Sequence, residues 1–206
     1  MSTDLVLGGC VVDHVADRVL RYCGCRWSGG PPETWAWPYF DEVVAPRPDV
    51  VDPVDVLAAA ALHPGLSRSD LAYFVAARDE LSVLLAGLPT DVALADADEA
   101  LHQRVVRIGS IDPSVSLTLL SKVLHHVRPH LVPMVDRHVL DWYRPITRER
   151  SARAAWPGLI EALTNDLGID ANATAIAELQ ARVTESRPVT PSALRVVDIA
   201  IWMGGR

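Results

Sequence analysis

The sequence predicts an all-α protein, a single compact domain of eight or nine helices over residues 1–206. Three observations predict it. Half of the residues are hydrophobic, with alanine, leucine and valine dominating and aromatics few. In most segments the apolar residues recur at i, i+3, i+4 and i+7, the period of a helix with one buried face. Between those segments stand Asp-Pro, Ser/Thr and Gly/Pro signals that start and stop helices. Residues 1–40 form an N-terminal helix and a tryptophan-rich loop ahead of a helical core at 41–206.

The elements follow in order. Residues 1–9 read as loose, and Val11–Tyr22 as a helix with Val12, Val15, Val19 and Tyr22 on one side. Gly29, Gly30, Pro31 and Pro32 make the next stretch a loop, which carries Trp27, Trp35, Trp37, Tyr39 and Phe40. So many rings either pack across a core or line a pocket for a planar ligand. Asp52 and Pro53 give an N-cap and first helical position, opening a helix to about Leu62 that Pro64-Gly65 stops. Ser67–Leu88 is helical with a break near Ala76, and Gly87 and Pro89 end it. Asp96 or Asp98 caps a helix to Ile108 with Leu101, Val105 and Ile108 inward. Gly109-Ser110-Ile111 then turns the chain.

Asp112 and Pro113 predict the start of the next helix, on which Leu120, Val123, Leu124 and Val127 form an apolar stripe. Pro129 ends it at about Arg128, since the residue before a proline is pushed out of the α region. Pro133 keeps the following segment extended, and Asp136 stands where an N-cap belongs, at the positive end of the helix dipole. Further helices run from Ser151 to Leu167, kinked or split at Pro157, from Asn172 to Ser186, and from Thr190-Pro191 to the end, with Leu194, Val197, Ile201 and Trp202 on its apolar face. Arg195 and Asp198 on that last helix read as an ordinary i,i+3 pair.

Charge and cysteines bound the function. The net charge of −7 argues against a protein that coats nucleic acid. From Asp41 to Leu101 there are twelve acidic and three basic residues. From Pro113 to Ala154 there are three acidic and seven basic ones, so an anionic ligand prefers the second region. Cys10, Cys23 and Cys25, an odd number with no export signal, fit a reducing cytoplasm. No run of eighteen apolar residues predicts a membrane span. Cys23-Gly24-Cys25 has no second pair at zinc spacing, and His125, His126, His130 and His138 do not share one helix face, so no metal is expected. Walker, Gly-x-Gly-x-x-Gly, Gly-x-Ser-x-Gly and His-Glu-x-x-His motifs are absent, and no cofactor is expected.

Lys122-Val123-Leu124, Arg128-Pro129-His130-Leu131-Val132-Pro133 and Asp136 resemble the motif of an uncharacterised actinobacterial family. The likeness extends over roughly residues 38–205 through Arg47–Val50, Leu88–Val92 and Pro191–Met203. More distantly, Ser121–Leu140, ending in Asp136-Arg137-His138-Val139-Leu140, resembles the core of helix-hairpin-helix DNA glycosylases of the 8-oxoguanine type. That resemblance implies a hairpin between two helices, an aspartate at the head of the next helix that stabilises positive charge on the sugar, and in some members a lysine nucleophile. Asp136 falls at the aspartate; Thr118 falls at the lysine position, with Lys122 one turn further along; the hairpin Arg107–Pro113 has one glycine. On this basis Asp136 and Lys122 are the candidate catalytic residues. Arg128 and Arg137 are expected to bind phosphate and Trp27 or Trp142 to stack on a base. The expected activity is that of an N-glycosidase acting on a nucleobase, a nucleoside or nucleotide, or damaged DNA. The alternative is a non-catalytic binding or biosynthetic accessory protein using the same cleft for an anionic small molecule. The expected partner is an anionic planar molecule or a nucleic-acid end, with weak binding of duplex DNA; the sequence is silent on oligomeric state.

Overall fold

A computed structural model describes residues 4–33, 35–63 and 65–205. The chain is mostly helical. Among the described residues it forms eleven α-helices and one two-stranded sheet. The proposed helix stop at Pro64 lies outside the described residues, as do the first three residues of the segment read as loose.

The start of the chain differs from the expected loose segment and long helix. Strands β1 (Leu5–Leu7) and β2 (Cys10–Val12) pair antiparallel, Leu5 opposite Val12 and Leu7 opposite Cys10. Gly8 and Gly9 both have positive φ, 59° and 77°, as a tight two-residue hairpin turn requires. Helix α1 is therefore confined to Val15–Tyr22. The hairpin is fastened to the helices behind it. Asn172 accepts from Val6 N at 2.9 Å and donates to Val6 O at 2.7 Å, and Asp166 accepts from Gly8 N at 2.8 Å.

Short helix α2 (Trp37–Phe40) lies inside the stretch expected to be wholly loop. Helix α3 (Pro53–Ala61) starts as expected, with reciprocal side-chain and backbone bonds between Asp52 and Asp55. Ser67 caps α4 (Arg68–Ala76), and α5 (Arg78–Ala86) follows after the expected break, here at Ala77. Asp98, not Asp96, caps α6 (Glu99–Arg107), through a 2.8 Å bond from Leu101 N. Leu101, Val105 and Ile108 are buried as predicted.

Helix α7 (Leu117–Val127) starts four residues later than the Asp112-Pro113 signal suggests. Asp112 accepts from Ser114 N at 2.7 Å and so closes a local turn instead of capping. The carbonyls of Gly109, Ile111, Asp112 and Val115 all converge on the Arg153 guanidinium at 2.6–2.8 Å, which keeps them out of a helical ladder. Both flanks of α7 are buried, well beyond the predicted stripe. It ends at Arg128, one residue before Pro129, and Asp136 caps α8 (Arg137–Thr147). Helix α9 (Ala152–Leu167) is not split at Pro157, which falls in its second turn. Helices α10 (Asp170–Thr184) and α11 (Ala193–Trp202) complete the chain, the latter capped by Ser192. The core is continuous through α1, α3, α5–α11 and the hairpin. Among the described residues no helix is long and apolar enough to cross a membrane.

Candidate functional site

Asp136 ends the extended segment after Pro133 with φ −133° and ψ −173°, which turns its side chain back over the start of α8. Its Oδ1 accepts from His138 N at 2.9 Å and Val139 N at 3.1 Å. Its Oδ2 has no hydrogen-bond partner among the described residues. Lys122 projects from the middle of α7 and is 7% exposed. Its Nζ donates to Leu62 O, at the end of α3, at 2.7 Å. Burial lowers the Lys122 pKa, opposed by the charges of Asp198 and Asp136.

Both residues open onto one cavity of about 830 Å³. That volume lies in the range that holds a drug-sized or nucleoside-sized molecule. Tyr22, Trp35, Tyr39 and Trp202 supply aromatic wall, and Arg195 and Asp198 the remaining charge. Trp35 and Trp202 meet edge to face at 5.5 Å, and Tyr22 meets Trp202 likewise at 5.8 Å. The tryptophan-rich loop thus reaches the cavity through Trp35 and Tyr39.

The other four candidates lie elsewhere. Trp27 is half-buried outside the cavity; its Nε1 donates to Pro31 O at 3.0 Å and its ring takes the Arg21 guanidinium at 5.3 Å. Trp142 is turned to the hairpin, donating to Leu7 O at 3.1 Å. Arg128 is 4% exposed, and its guanidinium donates to Leu85 O at 2.9 Å and to Leu88 O and Pro48 O. Burial leaves it no face for a phosphate. Arg137 is 89% exposed at the side chain and lies 3.6 Å from Asp141. The two arginines therefore do not flank one cleft, and the expectation of an anionic ligand loses the residues on which it was built.

Arg195 and Asp198, which the sequence reads as an ordinary i,i+3 pair, line the cavity as well. Arg195, 3% exposed, is bound by both oxygens of Asp41 and by Asp198 and Tyr22. The signal was present: two charges on a helix whose other residues from Leu194 to Ile201 are apolar need partners or a function. Of the histidines, His125 Nδ1 lies 2.7 Å from Val132 O, and His126 bridges Asp55 Oδ1 and Val43 O, each at 2.7 Å. No group of three potential metal ligands occurs among the described residues.

Fold and cavity define a helical protein built around an aromatic-walled pocket with an aspartate at a helix start on its rim. The chain belongs to the family described as "Family of unknown function (DUF6308)", which it matches over residues 15–205. No curated protein and no solved structure matches the chain.

Proposed function

We propose that the chain is an N-glycosidase-like enzyme that releases a planar base from a nucleoside, with Asp136 as the anion that stabilises the sugar. The observation that carries this reading is that Asp136 and Lys122, far from the tryptophan loop in sequence, share a cavity with Trp35, Tyr39 and Trp202. Breaking a glycosidic C–N bond builds positive charge on the sugar, and a fixed carboxylate oxygen without a partner is what that transition state needs. The aromatic faces suit stacking of the flat leaving group. Lys122, bound to Leu62 O and placed in the same cavity as two carboxylates, serves as their ammonium counter-charge. Water then takes the base's place at the sugar carbon and loses its proton to solvent.

The order of elements supports the resemblance to helix-hairpin-helix glycosylases: α6, a nine-residue connection over residues 108–116, α7, a two-proline loop and an aspartate heading α8. A nucleoside fits better than a nucleotide or duplex DNA, because Arg128 is committed to carbonyls and Arg137 is outside the cavity. The test is release of free base, resolved chromatographically, from a panel of purine and pyrimidine nucleosides and short single-stranded oligonucleotides. Base release from a nucleoside supports the reading. Tight binding of a nucleoside with no release makes the cavity a binding site only. A borohydride-trapped adduct at Lys122 makes that residue the nucleophile instead.

A further inference from the structure

In the cavity wall Arg195 holds three groups at once. Its Nε and Nη2 take the two oxygens of Asp41 at 2.6 and 2.8 Å, Nη2 also reaches the Tyr22 hydroxyl at 2.6 Å, and Nη1 donates to Asp198 Oδ2. Asp198 is 9% exposed and lines the cavity with Asp136 and Lys122. Its Oδ1 has no hydrogen-bond partner among the described residues.

Charges in this region do not cancel. Asp41, after α2, Asp136, at the head of α8, and Asp198, on α11, face two cations, Lys122 on α7 and Arg195 on α11. One negative charge is left over where burial makes an unpaired charge costly, and uptake of a proton relieves it. Asp136 receives two backbone N–H groups, and Asp41 receives Arg195 on both oxygens. Asp198 has a single contact and one bare oxygen, so of the three it is the carboxylate best placed to take up a proton.

We propose that Asp198 is a second catalytic carboxyl group, which hands its proton to the ring nitrogen of the departing base in the cavity it shares with Asp136. The assignment rests on the N-glycosidase reading above. The glycosidic C–N bond breaks, its electron pair goes to the base nitrogen, and that nitrogen takes the Asp198 proton. Water bonds to the sugar carbon and gives a proton to solvent, from which Asp198 is reprotonated. Burial pushes the Asp198 carboxyl up to about 6; Arg195 and Lys122 oppose the rise, and Asp136 and Asp41 add to it. Burial pushes Asp41 upward as well, opposed by its two bonds from Arg195. A general acid works best when it titrates near the operating pH.

The experiment compares purine nucleosides with their N7-methylated counterparts, whose base leaves without needing a proton. In Asp198→Asn, kcat/KM for the unmethylated nucleoside should fall at least about a hundredfold, the usual scale of general-acid catalysis, while the N7-methylated one is cleaved as before. In the unaltered chain, cleavage of the unmethylated substrate should decline as pH rises past 6, and cleavage of the methylated one should not. Equal losses on both substrates in a folded Asp198→Asn protein overturn the assignment and leave Asp136 in its role. If that variant does not fold, the two pH profiles of the unaltered chain decide alone, and identical profiles overturn it. No base release from any nucleoside by the unaltered chain overturns the N-glycosidase reading, and this assignment with it.

Discussion

Arg128 stands between α5 and α7 with its guanidinium spent on backbone. Leu85 and Leu88 carbonyls at the end of α5 and Pro48 before α3 all accept from it. Leu85 O also accepts from Leu88 N at 3.0 Å and Pro48 is exposed, but the buried Leu88 carbonyl takes its bond from Arg128, and a buried acceptor left unpaired costs about 1–3 kcal/mol. Arg128→Ala should therefore destabilise the protein by about 1–3 kcal/mol in chemical denaturation, and leave nucleoside affinity in the folded protein unchanged. Loss of affinity at full stability would return Arg128 to the ligand. Its neighbour His125 makes a different kind of statement. Val132 O is only an acceptor, so the Nδ1 facing it carries a hydrogen, and burial depresses the ring's pKa to about 3. The unfolded chain takes up a second ring proton near pH 6.5 and the folded chain does not. The stability this group contributes is thus complete above pH 6.5 and is lost as pH falls towards 3. Relative to a His125→Asn variant, the unaltered protein should lose several kcal/mol between pH 6.5 and 3 by urea denaturation at stepped pH. A difference that stays flat across that window would show His125 protonated in the fold.

At the scale of elements, the hairpin is the clearest departure from the helical pattern. Gly9 has φ 77° and open space where a Cβ would point, so only backbone strain opposes a side chain there. Gly9→Ala should cost about 1–2 kcal/mol in thermal or chemical unfolding, the usual penalty of the left-handed region. No measurable cost would mean that the turn relaxes out of that conformation. The helices were legible where local chemistry decides them. Asp52, Ser67 and Asp98 cap as their side chains require, and the Pro129–Pro133 bracket delivered Asp136 to a helix start. The start of α7 was not legible from Asp112-Pro113, because Arg153, about forty residues on, draws four carbonyls of that turn to itself. For the same reason the lining of the cavity was legible only in part. Asp136 and Lys122 were named through the resemblance to helix-hairpin-helix glycosylases and both line the cavity, but Arg195 finds Asp41 and Tyr22 at separations of 154 and 173 residues, which no local pattern reports. The ligand arginines were misplaced because sequence proximity to Asp136 says nothing of burial.

Across the whole molecule, five of the seven basic residues of 113–154 are drawn away from a basic face. Lys122 and Arg128 are buried, Arg153 is bound to carbonyls, and Arg137 and Arg144 lie beside Asp141. With a net charge of −7, duplex DNA should bind weakly, and weaker still as salt rises. What the fold brings together is the cavity where α3, α7, α8 and α11 meet the tryptophan-rich loop, and the claim at the centre of this account is that Asp136 acts there on a sugar. Asparagine caps helices about as well as aspartate, so Asp136→Asn should change stability by about 1 kcal/mol or less. The measurement is base release from nucleosides by the unaltered chain and by Asp136→Asn at matched melting temperature. Release by the first and none by the second is the predicted result; equal release by both would contradict it.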